Sequence, residues 1–157
     1  MPEDSPHTRD TGLRQVLGDL VVTNYRVTRL AAQLTGSSET SATWAVLSVL
    51  NSYGPVRLGE LARFSRVSQP TMTKLIKGLL DVGWVERAAQ PGDARAACIV
   101  ITKEGEAALE QWRKELADAL VPLFTDLNDR DLAALQRTVE ILDRRLHESI
   151  NLGDRKE

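Results

Sequence analysis

The chain has 157 residues, 42% of them hydrophobic and 27% charged, with a formal charge of −2 and one cysteine. That length fits one domain, or a domain with an oligomerisation arm, and the apolar content is sufficient for a core. A lone cysteine excludes an intrachain disulfide and a multi-cysteine metal site, and no apolar run approaches the ~20 residues that a membrane-spanning helix needs.

The amino terminus, MPEDSPHTRDT, has no apolar signal region, so residues 1–11 read as a disordered tail and the protein is expected in the cytoplasm. A helix follows over residues 12–36, with Leu13, Val16, Leu17, Leu20, Val27, Leu30, Ala31 and Leu34 on it and Asn24 too polar for uniform burial. Thr40 to Ser52, with Trp44, Leu47 and Leu50, reads as a linking helix. Leu61, Ala62 and Phe64 then supply the core side of a helix of about two turns.

After Arg66-Val67 a longer helix begins. Ser68 can cap it, because a serine oxygen accepts from the free N–H groups of a first turn, and Pro70 is tolerated where those groups lack partners. Gly83 closes it. Met72, Leu75, Ile76, Leu79 and Leu80 recur at helical spacing and form a stripe to be buried. The opposite face carries Gln69, Thr71, Thr73, Lys74 and Lys77, with Asp81 near its far end. Such side chains can meet phosphate oxygens or base edges in a major groove, although an amphipathic helix with lysines outside is by itself only a solvated face.

Trp84-Val85 and Cys98 to Ile101 read as two strands, and Ala88 to Ala96, which contains Pro91-Gly92, as the loop between them. An arginine at such a tip, here Arg95, can enter a narrow minor groove, and Asp93 can hold it in place; alone, the pair is also an ordinary surface contact. Two helices joined by a few residues, followed by this hairpin, make a helix-turn-helix with a wing over residues 40–102. Between Arg57 and Lys103 stand eight basic and four acidic residues, a local +4 that leaves −6 elsewhere. One surface is therefore suited to phosphate and the rest repels it.

Beyond Thr102 a helix carries Leu109, Trp112, Leu116, Leu120, Leu123 and Phe124, with Pro122 placed to bend or end it. From Asn128, a cap, the last helix places Leu132, Leu135, Val139, Leu142, Leu146 and Ile150 at alternating steps of three and four, a narrow seam of the kind two helices share. A plain amphipathic terminal helix gives a similar pattern. The terminal helices have long apolar stripes and little core to cover, so residues 12–36 and 103–150 are expected to dimerise, and 151–157 to be a flexible tail. The fold class is mainly α with a small antiparallel β wing, a winged helix-turn-helix core flanked by terminal dimerisation helices.

In register, Leu61-Ala62, Val67-Ser68-Gln69-Pro70-Thr71, Leu75 to Leu80, Gly83-Trp84-Val85-Glu86-Arg87, Asp93-Ala94-Arg95 and Ile101-Thr102-Lys103-Glu104-Gly105 resemble the MarR family of bacterial transcriptional regulators. The resemblance extends from about Gly12 onward. Gly59 stands where the family often has a hydroxylated cap, and Ala96 where a second basic residue is frequent. The resemblance implies a repressor that binds double-stranded DNA as a homodimer, with two recognition helices about one DNA turn apart on a pseudo-palindrome. It also implies relief by a small, often aromatic and anionic effector in the crevice between dimer arm and winged helix. Trp44, Tyr25, Arg26 and Arg29 have suitable chemistry, and equally suit core packing or surface charge, so the pocket is not assigned.

The residues expected on DNA are Gln69, Thr71, Thr73 and Lys74 toward base edges and neighbouring phosphates, Ser68 and Lys77 toward phosphate, and Arg95, supported by Asp93, in the minor groove. No cofactor or metal is expected: His7 and His147 have no ligand cluster around them. Glycine-rich phosphate loops and serine elbows are missing, so the chain does not read as an enzyme. Two alternatives stay open. One is a redox-sensing regulator acting through Cys98, although family members that sense peroxide use a cysteine near the amino-terminal helix, where this chain has none, and a wing-strand cysteine suits packing. The other is a winged-helix protein-interaction module without specific DNA binding.

Overall fold

A computed structural model describes residues 6–36, 40–90 and 93–153, with side chains described over 10–36, 40–89 and 97–146. In chain order the elements are α1 (Pro6–Thr35), α2 (Ser41–Tyr53), β1 (Val56–Arg57), α3 (Leu58–Phe64), α4 (Gln69–Asp81), β2 (Val85–Gln90), β3 (Asp93–Ile101), α5 (Lys103–Leu120), a 3₁₀ turn (Val121–Leu123) and α6 (Asp129–Gly153). The chain divides into two compact units, residues 1–119 and 120–157.

Helix α2 starts on Thr40, whose Oγ1 accepts from the Thr43 N–H at 3.3 Å. Helix α4 starts on Ser68, whose Oγ accepts from the Thr71 N–H at 3.3 Å, with Pro70 in the first turn. It stops because Gly83 adopts φ 75°, a left-handed conformation that glycine takes without steric cost. Between α3 and α4, Arg66 holds φ 51°. A non-glycine residue there costs about 1 kcal/mol, which the flanking packing has to offset.

The three strands form one antiparallel sheet in the order β1-β3-β2. Val56 faces Ile99 and Arg57 faces Cys98, while β2 runs from Val85 opposite Ile101 to Ala89 opposite Ala97, then slips at a bulge so that Gln90 faces Asp93. The expectation of a loop over Ala88 to Ala96 is therefore corrected: Ala88, Ala89 and Gln90 belong to β2, and Asp93 to Ala97 to β3. The alanines among them carry no strand signal, but pairing of Ala88 with Cys98, Ala89 with Ala97 and Gln90 with Asp93 satisfies backbone groups that a loop would leave to solvent. Trp84 lies in the bend before β2 rather than in a strand, and the two-residue β1 was not foreseen. Two boundaries also move. Helix α1 begins at Pro6, inside the segment read as a tail, where proline suits a first helical turn and Arg14 pairs with Asp10 at 2.9 Å. Helix α6 runs on to Gly153.

The core lies where α2, α3 and α4 meet the sheet. Leu47, Leu50, Leu61, Met72, Ile76 and Ile99 are fully buried, and Leu79, Val85 and Leu109 join the same cluster. Trp44 belongs to this core rather than to an open crevice. Its ring stacks on Trp84 with centroids 5.6 Å apart and on Trp112 of α5 at 4.8 Å.

Thr102 joins α5 to the hinge between α4 and β2. Its hydroxyl donates to the Gly83 carbonyl at 2.7 Å, its N–H donates to the Trp84 carbonyl at 3.0 Å, and its Oγ1 accepts from the Gly105 N–H at 3.1 Å. Gly105 is buried, and a Cβ there would collide with the Trp84 carbonyl and the Ile101 side chain. The Thr102-Lys103-Glu104-Gly105 segment thus closes the wing against the first turn of α5.

In the second unit, α5 ends at Leu120 and Pro122 lies in the 3₁₀ turn, the break expected there. Asn128 caps α6: its Oδ1 accepts from the Asp131 N–H at 3.0 Å and its Nδ2 donates to the Asp131 carboxylate at 2.8 Å. Along α6, Leu132, Leu135, Val139 and Leu146 are exposed and Leu142 is half-buried. The side chain of Ile150 lies outside the described residues.

Candidate nucleic-acid interface

The periodicity of α4 sorts its two faces as expected. Met72, Ile76 and Leu79 are buried, Leu75 and Leu80 half-buried, and Gln69, Thr71, Thr73, Lys74, Lys77 and Asp81 exposed. With 3.6 residues per turn, Gln69, Thr73 and Lys77 share one line along the helix and Lys74 stands beside it. Among the described residues neither Lys74 nor Lys77 forms an ion pair, so both charges face solvent uncompensated. A duplex laid along this face would meet two cations before the single carboxylate of Asp81.

The hydroxyls and the amide are less free than the lysines. Ser68 Oγ and Thr71 Oγ1 lie 2.8 Å apart, one hydroxyl donating to the other, while Ser68 Oγ also accepts from the Thr71 N–H. Thr73 donates back to the Gln69 carbonyl at 2.9 Å. Ser68 is first a helix cap, and Thr73 spends its one donor within the helix, leaving lone pairs rather than a proton for an incoming base. Gln69 Nε2 lies so near α3 that a Cβ on Gly59 would stand 3.3 Å from it. A side chain at Gly59 would crowd the Gln69 amide. Helix α3 is capped instead through Glu60, whose Oε2 accepts from the Arg57 N–H at 3.0 Å.

The structure brings Ser68, Gln69, Thr71, Thr73, Lys74 and Lys77 together on one helix. Asp93 and Arg95 both lie in β3, toward the wing tip, but their side chains lie outside the described residues. Cys98 is buried at 2% exposure on the central strand, between Arg57 of β1 and Ala88 of β2. A thiol so enclosed is a packing group, since oxidants reach exposed thiolates. Sequence reasoning missed the arginines nearest the start of α4. Arg57, Arg63 and Arg66 line one recess with Gly59 and Gln69; only their count in the local charge pointed to them.

Of the effector candidates, Tyr25 and Arg29 line a recess of about 590 Å³ with Thr28, Ala32, Gln33 and Ser41. Arg26 and Arg29 line a second, of about 470 Å³, with Leu30 and Gln33.

Comparison with known proteins agrees with this geometry. The MarR family profile matches residues 40–97, the segment that holds α2 to the wing. The HTH-type transcriptional regulator YwoH of Bacillus subtilis is 35% identical over 94 residues, 60% of this chain and 68% of that protein. The HTH-type transcriptional repressor IacR of Pseudomonas putida is 25% identical over 99 residues, 63% of this chain and 59% of that protein. The apo form of MarR from E. coli superposes with a TM-score of 0.62 at 26% identity, covering 80% of this chain and 96% of that one. Among the described residues no helix is long and apolar enough to cross a membrane. A winged helix with an uncompensated basic recognition face, matched in sequence and in fold by these proteins, makes this chain a member of the MarR family of DNA-binding transcriptional regulators.

Proposed function

We propose that this regulator is a ligand-responsive repressor, not an enzyme, that acts in the cytoplasm as a homodimer on a pseudo-palindromic operator. The observation that carries the reading is the solvent face of α4, where Lys74 and Lys77 are exposed and unpaired among the described residues. Lys74 and the Gln69 amide are assigned to base edges, with Thr71 and Thr73 offering acceptors beside them. Lys77 and Ser68 take phosphate, and Arg95, steadied by Asp93, takes the minor groove. Residues 40–102 form the DNA-binding part, while 12–36 and 103–150 supply the dimer contacts. The exposed apolar side chains of α1 and of α6 support that division, each within its own unit.

Repression is the role named for the related IacR and is carried here by analogy. Effector control rests on chemistry: the recess beside Tyr25 and Arg29 offers an aromatic face and a cation to a small aromatic anion. Such a ligand lowers DNA affinity by favouring one separation of the two recognition helices over another. The burial of Cys98 favours this reading over redox sensing, and the basic face of α4 favours it over a protein-only module.

Selection of bound sequences from a random duplex pool tests the proposal. The expected product is a symmetric site with half-sites about 10 base pairs apart. A pool that shows no enrichment, or enrichment of an asymmetric single half-site, overturns the operator and homodimer assignments.

A further inference from the structure

The turn that joins α3 to α4 is built around an expensive choice. Arg66 holds φ 51°, and every other described residue with positive φ is a glycine: Gly36, Gly54 and Gly83. Glycine would meet the same backbone geometry without strain, so folding alone gives no reason for a long cationic side chain at this position. That side chain is exposed and, like that of Arg63, forms no ion pair among the described residues.

Arg66 does not stand alone. It lines a recess of about 510 Å³ with Arg57, Arg63, Gly59 and Gln69. Glu60 is the one carboxylate on the lining, and its Oε2 already accepts from the Arg57 N–H at 3.0 Å. Three guanidinium groups against one carboxylate leave the recess with a net charge of +2. Gly59 and Gln69 also line it, and a Cβ on Gly59 would stand 3.3 Å from the Gln69 Nε2. Planar guanidinium forks match the paired oxygens of a tetrahedral oxyanion, which makes the chemistry of the recess that of a phosphate receptor.

We propose that this recess seats one backbone phosphate of the DNA beside each half-site, anchoring the start of the recognition helix from outside the groove. The inference rests on the reading of α4 as the DNA-contacting helix. A phosphate held by Arg63 and Arg66 fixes the height and register of Gln69 and Lys74 above the base edges without reading any base. It is a positioning contact, and its loss weakens all sequences alike.

The test compares the full-length wild type with Arg66→Gly and Arg63→Gln, measuring binding to the selected duplex across a salt series, together with urea unfolding. Arg66→Gly is expected to keep or raise the unfolding midpoint, because strain is relieved. It should also weaken binding about 10-fold at moderate salt and make the plot of log affinity against log salt shallower by about 1 per phosphate lost. Arg63→Gln should reproduce the binding loss, and repeat selection should return the wild-type base preferences for both variants. Wild-type affinity and slope in both variants would overturn the site while leaving DNA recognition by α4 intact; a wild type with no salt-dependent DNA binding overturns both. Inorganic phosphate distinguishes the source of the oxyanion. Titrated without DNA at constant ionic strength, it is expected to show no saturable binding, and saturation lost in Arg66→Gly would assign the recess to a free anion instead.

Discussion

Two regions of this molecule carry the same helical pattern of apolar residues and end differently. In the winged helix, Leu47 and Leu61 are 0% exposed and Ile76 1%, each covered by its own chain. On α6, Leu132 and Leu135 are 49% exposed and Val139 66%; on α1, Val16 is 64% and Val21 69% exposed. The chemistry and spacing are alike, so periodicity names the side of a helix that avoids water but does not say which chain will cover it. Burying each such side chain is worth about 1.5–3 kcal/mol, so the stripes of α1 and of α6 each hold a large unused driving force for association.

The contrast can be broken by mutation at either end. Leu47→Ala in the sealed core is expected to destabilise folding by about 3 kcal/mol in urea unfolding, the usual cost of lost transfer energy plus a cavity. Gly105→Ala tests the same core from its edge: the added methyl group meets the Trp84 carbonyl, for an expected loss of about 2 kcal/mol, and a neutral result would mean that the wing is not locked to α5 by this contact. Val139→Asp on α6 should leave the unfolding of dilute protein nearly unchanged and raise the dimer dissociation constant about 100-fold, equivalent to about 2.7 kcal/mol, in sedimentation velocity. Equal stability losses at Leu47 and Val139 would erase the distinction between the two regions.

Smaller effects sharpen it. Cys98→Ala should cost about 1 kcal/mol as a packing loss, with operator binding after mild peroxide unchanged in wild type and variant alike. Lys77→Ala should alter no stability measurement and should flatten the salt dependence of DNA binding by about 0.9, with equal losses on specific and random duplex.

Helices with strong endings were legible in the sequence: Ser68, Pro70 and Gly83 bracket α4, and Asn128 starts α6. What escaped had no local signal. Strand β1 is two residues long and exists because β3 lies beside it, and Ala88, Ala89 and Ala97 are held by cross-strand pairing that no propensity encodes. At the interface, residue type was legible and availability was not. Nothing in the string Ser68-Gln69-Pro70-Thr71 says that the two hydroxyls bond each other, nor that Thr73 turns its donor back to Gln69. The arginines of the recess sit just before α3, on it and just after it, and the crossing of α3 with α4 adds Gln69 to them.

The tryptophan stack has an optical consequence. The chain has three tryptophans, and all of them stand in one row, with Trp44 between Trp84 and Trp112 and interplanar angles of 28° and 11°. Indole fluorescence and the coupled bands of near-ultraviolet dichroism therefore arise from a single locus, where α2, the hinge after α4 and α5 touch. A reorientation of α4 relative to α5 would change that overlap, so intrinsic fluorescence and near-ultraviolet dichroism offer an unlabelled gauge of the proposed response to an effector.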